Sequence, residues 1–244
     1  MFDLDGTLTE SKQPLSREMA WALSRLLTVT KVGIISGGAL PQFLLQVVEQ
    51  LPADARLENL YLLPTSGAAL FEYRNGDWQK VYEERLSEKD AAHIAEVIRA
   101  AAKETGVLDF SSPSWGERIE YRGSQVTLSA LGQQAPIIEK KRWDPDRAKK
   151  RALQEVIARD LPDFSVKIGG TTSIDVTMQG IDKAYGVRRL CERLGIPEPD
   201  ALYVGDELGK DGNDEAVFKT AVETHEVSSP EDTRAFIESF LVQK

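Results

Sequence analysis

Two carboxylates stand two residues apart at the start of the chain, in MFDLDGTLTE, and Gly6-Thr7 follows them at once. Carboxylates this close repel each other, so either both are solvated or a positive charge lies between them. Asp and Gly favour surface turns, and a calcium loop also begins D-x-D. In such a loop the glycine comes later and a glutamate follows. Phe2, Leu4 and Leu8 instead alternate with the polar residues, as at the end of a buried strand.

Other polar residues fall in matching places. Ser36 ends the apolar run KVGIIS, Asp206 follows ALYVG, and Lys183 opens the helical pattern DKAYGVRRLCERLG. Ligands of open α/β sheets lie beyond the carboxyl ends of the strands, so these groups are expected to converge there. Carboxylates, a hydroxyl and an ammonium group together suit phosphoryl transfer assisted by a divalent cation. Asp3, Asp206 and a backbone carbonyl, with Asp5 the candidate, are the expected ligands of magnesium (Mg2+). One of the paired carboxylates can attack phosphorus to give an aspartyl phosphate, and the other can carry protons for the leaving and incoming groups. Thr7, Ser36 and the backbone around Gly37 are expected to cradle the phosphate oxygens while Lys183 balances their charge.

The elements that must position these residues follow from periodicity. Apolar residues at Leu15, Met19, Leu23, Leu26 and Leu27 give a helix within 14–27, and LPQFLLQVVEQL gives another between the runs KVGIIS and LYLLPTS. Buried strand alternating with helix predicts an α/β fold, a doubly wound, mostly parallel, Rossmann-like sheet. ALFEYRNGDWQKVYE reads as a hairpin turning at Asn75-Gly76. Ser87 and Asp90 form a capping box for a helix near 88–104. ERIEYRGSQVTLSAL alternates with period two, as an antiparallel pair with one wet face does. A helix from Asp144 to Asp160 and the strands FSVKIGG and TTSIDVTM complete an α+β unit. After Asp182 the first pattern returns, with a helix around 213–220 and another over 231–242. The expected organisation is a core in two parts, 1–84 and 178–244, interrupted by an inserted α+β cap domain at 85–177.

Thirty-nine acidic residues against thirty basic ones give a formal charge of -9, which argues against nucleic acid as a partner. A small phosphorylated ligand needs only a local positive pocket. The single Cys191, within a helical pattern, is read as a buried core thiol and suits a reducing compartment. With no apolar run of membrane-spanning length and no leader, a cytoplasmic location away from membranes is expected. A strand presenting Asp3 needs more apolar residues before it than Met1 and Phe2, so the spacing allows a natural start upstream of Met1. His93, on the exposed side of a helix, and His225 are read as structural. Trp21, Trp78, Trp115 and Trp143 are read as packing residues.

FDLDGTLT, IISGG, Lys183 and GDELGKDGNDEA, in that order, resemble the four motifs of the haloacid dehalogenase-like phosphotransferases. The resemblance implies Asp3 as nucleophile, Asp5 as general acid/base and Asp206 as metal ligand. It gives Asp214 either the orientation of Lys183 or a place in the metal shell. EYRGSQVTLSALGQ, IGGTTSIDVTMQGIDK and SSPEDTRAFIE extend the likeness, over nearly the whole chain, to the eukaryotic-type phosphomannomutases. In that family the cap offers arginines, a Ser and an Asp to a hexose phosphate; Arg122, Ser173 and Asp175 match these positions. The departures are Gln133 and Lys140 where the family has further arginines, and Lys12 where it has one near the first motif.

A mutase must grip a second phosphate while the sugar reverses between two transfers. Arginine does this with a planar fork that Gln lacks, and lysine supplies only a point charge. A phosphatase has no such need, since water is its second acceptor. The expected activity is therefore a Mg2+-dependent sugar phosphatase, with a phosphohexomutase as the alternative. A silent binding module would need a damaged motif, and all four are intact. The expected partners are a small phosphorylated sugar and, for assembly, a second copy of the chain.

Overall fold

The computed structural model describes residues 1–210 and 212–242; Asp211 of the fourth motif and the last two residues of the expected core lie outside the described residues. The strands are β1 (Phe2–Asp3), β2 (Val32–Ile35), β3 (Leu60–Leu63), β4 (Ala69–Arg74), β5 (Asp77–Glu83), β6 (Ile119–Tyr121), β7 (Gln125–Ser129), β8 (Phe164–Ile168), β9 (Ser173–Met178), β10 (Leu202–Gly205) and β11 (Glu223–Glu226). The helices are α1 (Arg17–Val29), α2 (Leu40–Gln46), α3 (Glu88–Thr105), α4 (Ile137–Trp143), α5 (Ala148–Asp160), α6 (Lys183–Leu194) and α7 (Pro230–Val242). Two compact units divide the chain, Met1–Glu83 with Asp182–Lys244, and Glu84–Ile181.

The first unit carries a seven-stranded sheet in the order β11-β10-β1-β2-β3-β4-β5. It is parallel from β11 to β3, and β4 and β5 add an antiparallel hairpin turning at Asn75-Gly76, both at positive φ. Neighbouring residues of the parallel strands feed two cores. Phe2, Ile34, Leu60, Leu62 and Val204 pack with residues of α1, α2 and α7, while Ile35, Tyr61, Leu63 and Tyr203 pack with residues of α6. Burial on both faces is why these strands read as unbroken apolar runs. Cys191 lies buried in the second of these cores.

The second unit is a four-stranded antiparallel sheet in the order β6-β7-β9-β8. Val126, Leu128, Ile174 and Val176 turn one face toward Ile94, Ile98, Leu153 and Ile157 of α3 and α5. The wet face expected for its second strand is absent, because every residue of β7 is buried. Two of its polar side chains bond inside the protein: Gln125 Nε2 donates to Thr127 Oγ1 at 2.8 Å, and Thr127 Oγ1 donates to Asp175 Oδ1 at 2.8 Å.

Several helix boundaries differ from the sequence expectation, each for a local reason. Ser16, not Pro14, starts α1, because its Oγ accepts from Met19 N. The helix expected from Asp144 begins at Ala148, since Arg147 adopts a left-handed φ of 62°. Asp144 still caps it from a distance, accepting from the backbone N–H of Lys149 and Lys150 at 3.0 Å each. The short helix α4 precedes it and was not anticipated. The expected helix around 213–220 is a 3-10 turn, Glu215–Lys219. Trp21 and Trp115 are 50% and 44% exposed, so they are not packing residues, whereas Trp78 and Trp143 lie against the cores. Among the described residues no helix is long and apolar enough to cross a membrane.

Candidate active site

Strand β1 lies between β10 and β2, so three adjacent carboxyl ends bring Asp3, Ser36 and Asp206 to one edge of the sheet. Asp3 is the last residue of β1 and is 2% exposed. Lys183 comes from the first turn of α6, whose start is fixed by the Asp182 carboxylate accepting from Tyr185 N. Its ammonium is buried and donates to Asp3 Oδ1 and Asp214 Oδ1, both at 2.6 Å, and to Asn213 Oδ1. Carboxylate oxygens of Asp3, Asp206 and Asp214 lie within 4.8 Å of one another.

Three carboxylates therefore face one ammonium group in a largely dry site. Burial raises the Asp3 carboxyl well above its ordinary range; Lys183 opposes the shift, and the charges of Asp214 and Asp206 reinforce it. Burial likewise pushes Asp206 up to about 6. For Lys183 burial acts to lower its affinity for a proton, but the charges of Asp214 and Asp3 outweigh it and the ammonium stays firmly protonated. The negative excess is what a divalent cation would offset, so the residues present fit a magnesium ion.

The loop after β1 is built around Gly6. Its φ is 97°, and a Cβ there would meet Asp206 Oδ2 at 2.3 Å. That approach lets Thr7 Oγ1 donate to Asp206 Oδ1 at 2.9 Å. Gly6→Ala is expected to break this approach and to weaken magnesium binding at least tenfold, measured by calorimetric titration; unchanged affinity would show that the loop does not set the position of Asp206.

Asp5 lies outside the buried cluster and is partly exposed. Its Oδ1 accepts from Lys12 N at 2.6 Å and its Oδ2 from Gln42 Nε2 at 3.3 Å. It is thus the main chain of Lys12, at φ 57°, that holds the second carboxylate. Ser36 Oγ accepts from Gly38 N at 3.3 Å across Gly37, which sets the hydroxyl within a turn of backbone amides. Asn213, Tyr203 and Gln42 were missed. The place of Asn213 inside the fourth motif could have flagged it; the other two carry no local signal.

The cap candidates lie in the second unit. Arg122 Nε and Nη2 both donate to Glu120 Oε2, at 3.0 and 2.7 Å. Ser173 and Asp175 alternate on β9, opposite Ser129 and Thr127 of β7. Lys140 of α4 is 6% exposed, and its Nζ donates to the carbonyl of Gln133 at 3.2 Å.

This core, with carboxylates gathered at the ends of its central strands, is that of the haloacid dehalogenase-like enzymes, the phosphatases and phosphohexomutases. An IMP-nucleotidase of Plasmodium falciparum, solved with IMP bound, shares the fold with a TM-score of 0.71 at 17% identity, covering 100% of this chain. This chain spans 66% of that nucleotidase's length. The chain belongs to the eukaryotic phosphomannomutase family, whose model matches residues 19–243. Phosphomannomutases of Spinacia oleracea and Saccharomyces cerevisiae are 28% and 27% identical to it, over 100% and 96% of this chain and 96% and 90% of their own lengths.

Proposed function

We propose that the protein is a magnesium-dependent phosphatase of sugar phosphates, acting through an aspartyl phosphate on Asp3. Lys183 fixes Asp3 Oδ1, which leaves the carboxylate aimed along one direction for attack on phosphorus. The P–O bond to the sugar breaks as the Asp3–P bond forms, and Asp5 gives its proton to the departing sugar oxygen. Asp5 then takes a proton from water, whose oxygen attacks the phosphoryl group and releases Asp3 with inorganic phosphate. Thr7, Ser36 and the amides around Gly37 would hold the equatorial oxygens, the Thr7 hydroxyl turning from Asp206 to do so. Asp3 and Asp206, with the main-chain carbonyl of Asp5, would hold the magnesium ion, which supplies charge neutralisation for the phosphoryl oxygens.

Arg122, Ser173 and Asp175 are assigned to the sugar phosphate, by their match to the family pattern. The observation that favours hydrolysis is the state of the remaining pair. Gln133 stands where a mutase needs an arginine, and the buried Lys140 ammonium is turned onto the carbonyl of Gln133. Neither offers a fork for a second phosphate. The second reading, hexose phosphate mutase, is favoured by the relatives, which are named phosphomannomutases.

A panel of hexose phosphates incubated with protein and magnesium separates the two. Release of inorganic phosphate without isomerisation is expected. Isomerised sugar phosphate, activated by hexose 1,6-bisphosphate, would establish the mutase instead. Gln133→Arg is expected to tighten inhibition by the bisphosphate about tenfold, the worth of one charge-assisted hydrogen bond. Arg122→Ala, the control for cap involvement, should weaken monophosphate binding in either case.

A further inference from the structure

The family pattern leaves Asp214 two roles, partner of Lys183 or ligand of the metal, and a buried tyrosine decides between them. Tyr203 of β10 is 0% exposed and packs among Ile35, Leu63, Val187 and Val217. A phenylalanine would fill that space equally well, so the hydroxyl is explained by its bond and not by its packing. Tyr203 OH donates to Asp214 Oδ1 at 2.5 Å. The same oxygen accepts from Lys183 Nζ at 2.6 Å.

A carboxylate oxygen has two lone pairs, and both of those on Oδ1 now face donors. The second oxygen, Oδ2, accepts from Glu207 N at 3.2 Å and backs onto Gly205, where an added Cβ would stand only 2.5 Å away. Asp214 is therefore held from β10, from α6 and from the loop after β10 at once. Asp206 is held differently. Its hydrogen-bond donor among the described residues is Thr7, to Oδ1, and its Oδ2 faces Gly6.

We propose that Tyr203 is a positioning residue that commits Asp214 to Lys183, leaving Asp3 and Asp206 as the carboxylates that take the cation. The inference rests on the aspartyl-phosphate reading above. Under it, Tyr203 acts through Asp214 and Lys183 on the phosphoryl group and not through the metal.

Tyr203→Phe removes one oxygen and keeps the ring. Beryllofluoride with magnesium serves as the probe, because it mimics a phosphoryl group on an aspartate and needs no knowledge of the sugar. The variant is expected to bind magnesium alone within threefold of the wild type, by calorimetry, but magnesium-beryllofluoride about tenfold more weakly. Asp214→Asn is expected to weaken magnesium-beryllofluoride by at least as much, and to weaken magnesium as well through the lost charge. Magnesium affinity that falls tenfold or more in Tyr203→Phe, which keeps the wild-type charge, would tie Asp214 to the metal and overturn the proposal. Beryllofluoride affinity equal to wild type in Tyr203→Phe would also overturn it, since the hydroxyl would then serve only its own burial. A wild type that binds magnesium but no beryllofluoride would remove the aspartyl-phosphate reading itself, a result distinct from either of the others.

Discussion

Asp3→Asn is expected to reduce turnover by roughly 10^4-fold or more, the scale seen when a covalent nucleophile is removed. Asn keeps the shape of the side chain and can still meet Lys183, but it offers phosphorus no anionic oxygen. The fold should survive for a reason the site supplies. Asp3 is buried among Asp206 and Asp214, and burial with their charges raises its carboxyl despite Lys183. A neutral side chain relieves that crowding, so the melting temperature in EDTA should match or exceed that of the wild type. The check is phosphate release together with thermal melts with and without magnesium. Activity close to the wild-type level from a folded variant would eliminate Asp3 as the nucleophile.

Lys183→Met is expected to have the largest effect on stability. Lys183 is 5% exposed and is the ammonium that holds Asp3 and Asp214. Removing one partner of a buried ion pair costs about 3–5 kcal/mol, because the remaining charge is left without compensation. Here two carboxylates lose their counter-charge, and in EDTA they must take up protons or let water in. Urea denaturation in EDTA should show this loss, and magnesium should restore part of it by replacing the missing positive charge. Catalysis should not return with the metal, since the direct hold on Asp3 is gone. Equal stability of variant and wild type in EDTA would mean that Lys183 carries no structural charge.

The reach of the sequence is clearest at particular residues. The strand-end places of Asp3, Ser36 and Asp206 and the helix-start place of Lys183 were legible because each borders an apolar or helical run, and such boundaries are set by near neighbours. The hairpin at Asn75-Gly76 and the cap of α3 at Ser87 were legible for the same reason. The matching of Gln133 and Lys140 to the family's distal arginine positions came from the resemblance to the phosphomannomutases.

What spacing could not give was the company each side chain keeps. Tyr203 meets Asp214 eleven positions on, and Lys183 meets Asp3 across 180. Nothing within a few residues of Tyr203 marks its hydroxyl as part of a site; it reads as one more apolar strand position. Asp5 and Asp3, neighbours in sequence and alike in type, were separated by the sheet. Asp3 ends a strand packed between β10 and β2 and is dry, whereas Asp5 sits on the loop beyond and is held by Lys12 N and Gln42. Residue types and local periodicity therefore determined which groups can react and which elements carry them. Which of them are buried together, and which groups they pair with, was decided by tertiary packing, because burial and pairing across long separations, and not residue type, set the charge each carboxylate can hold.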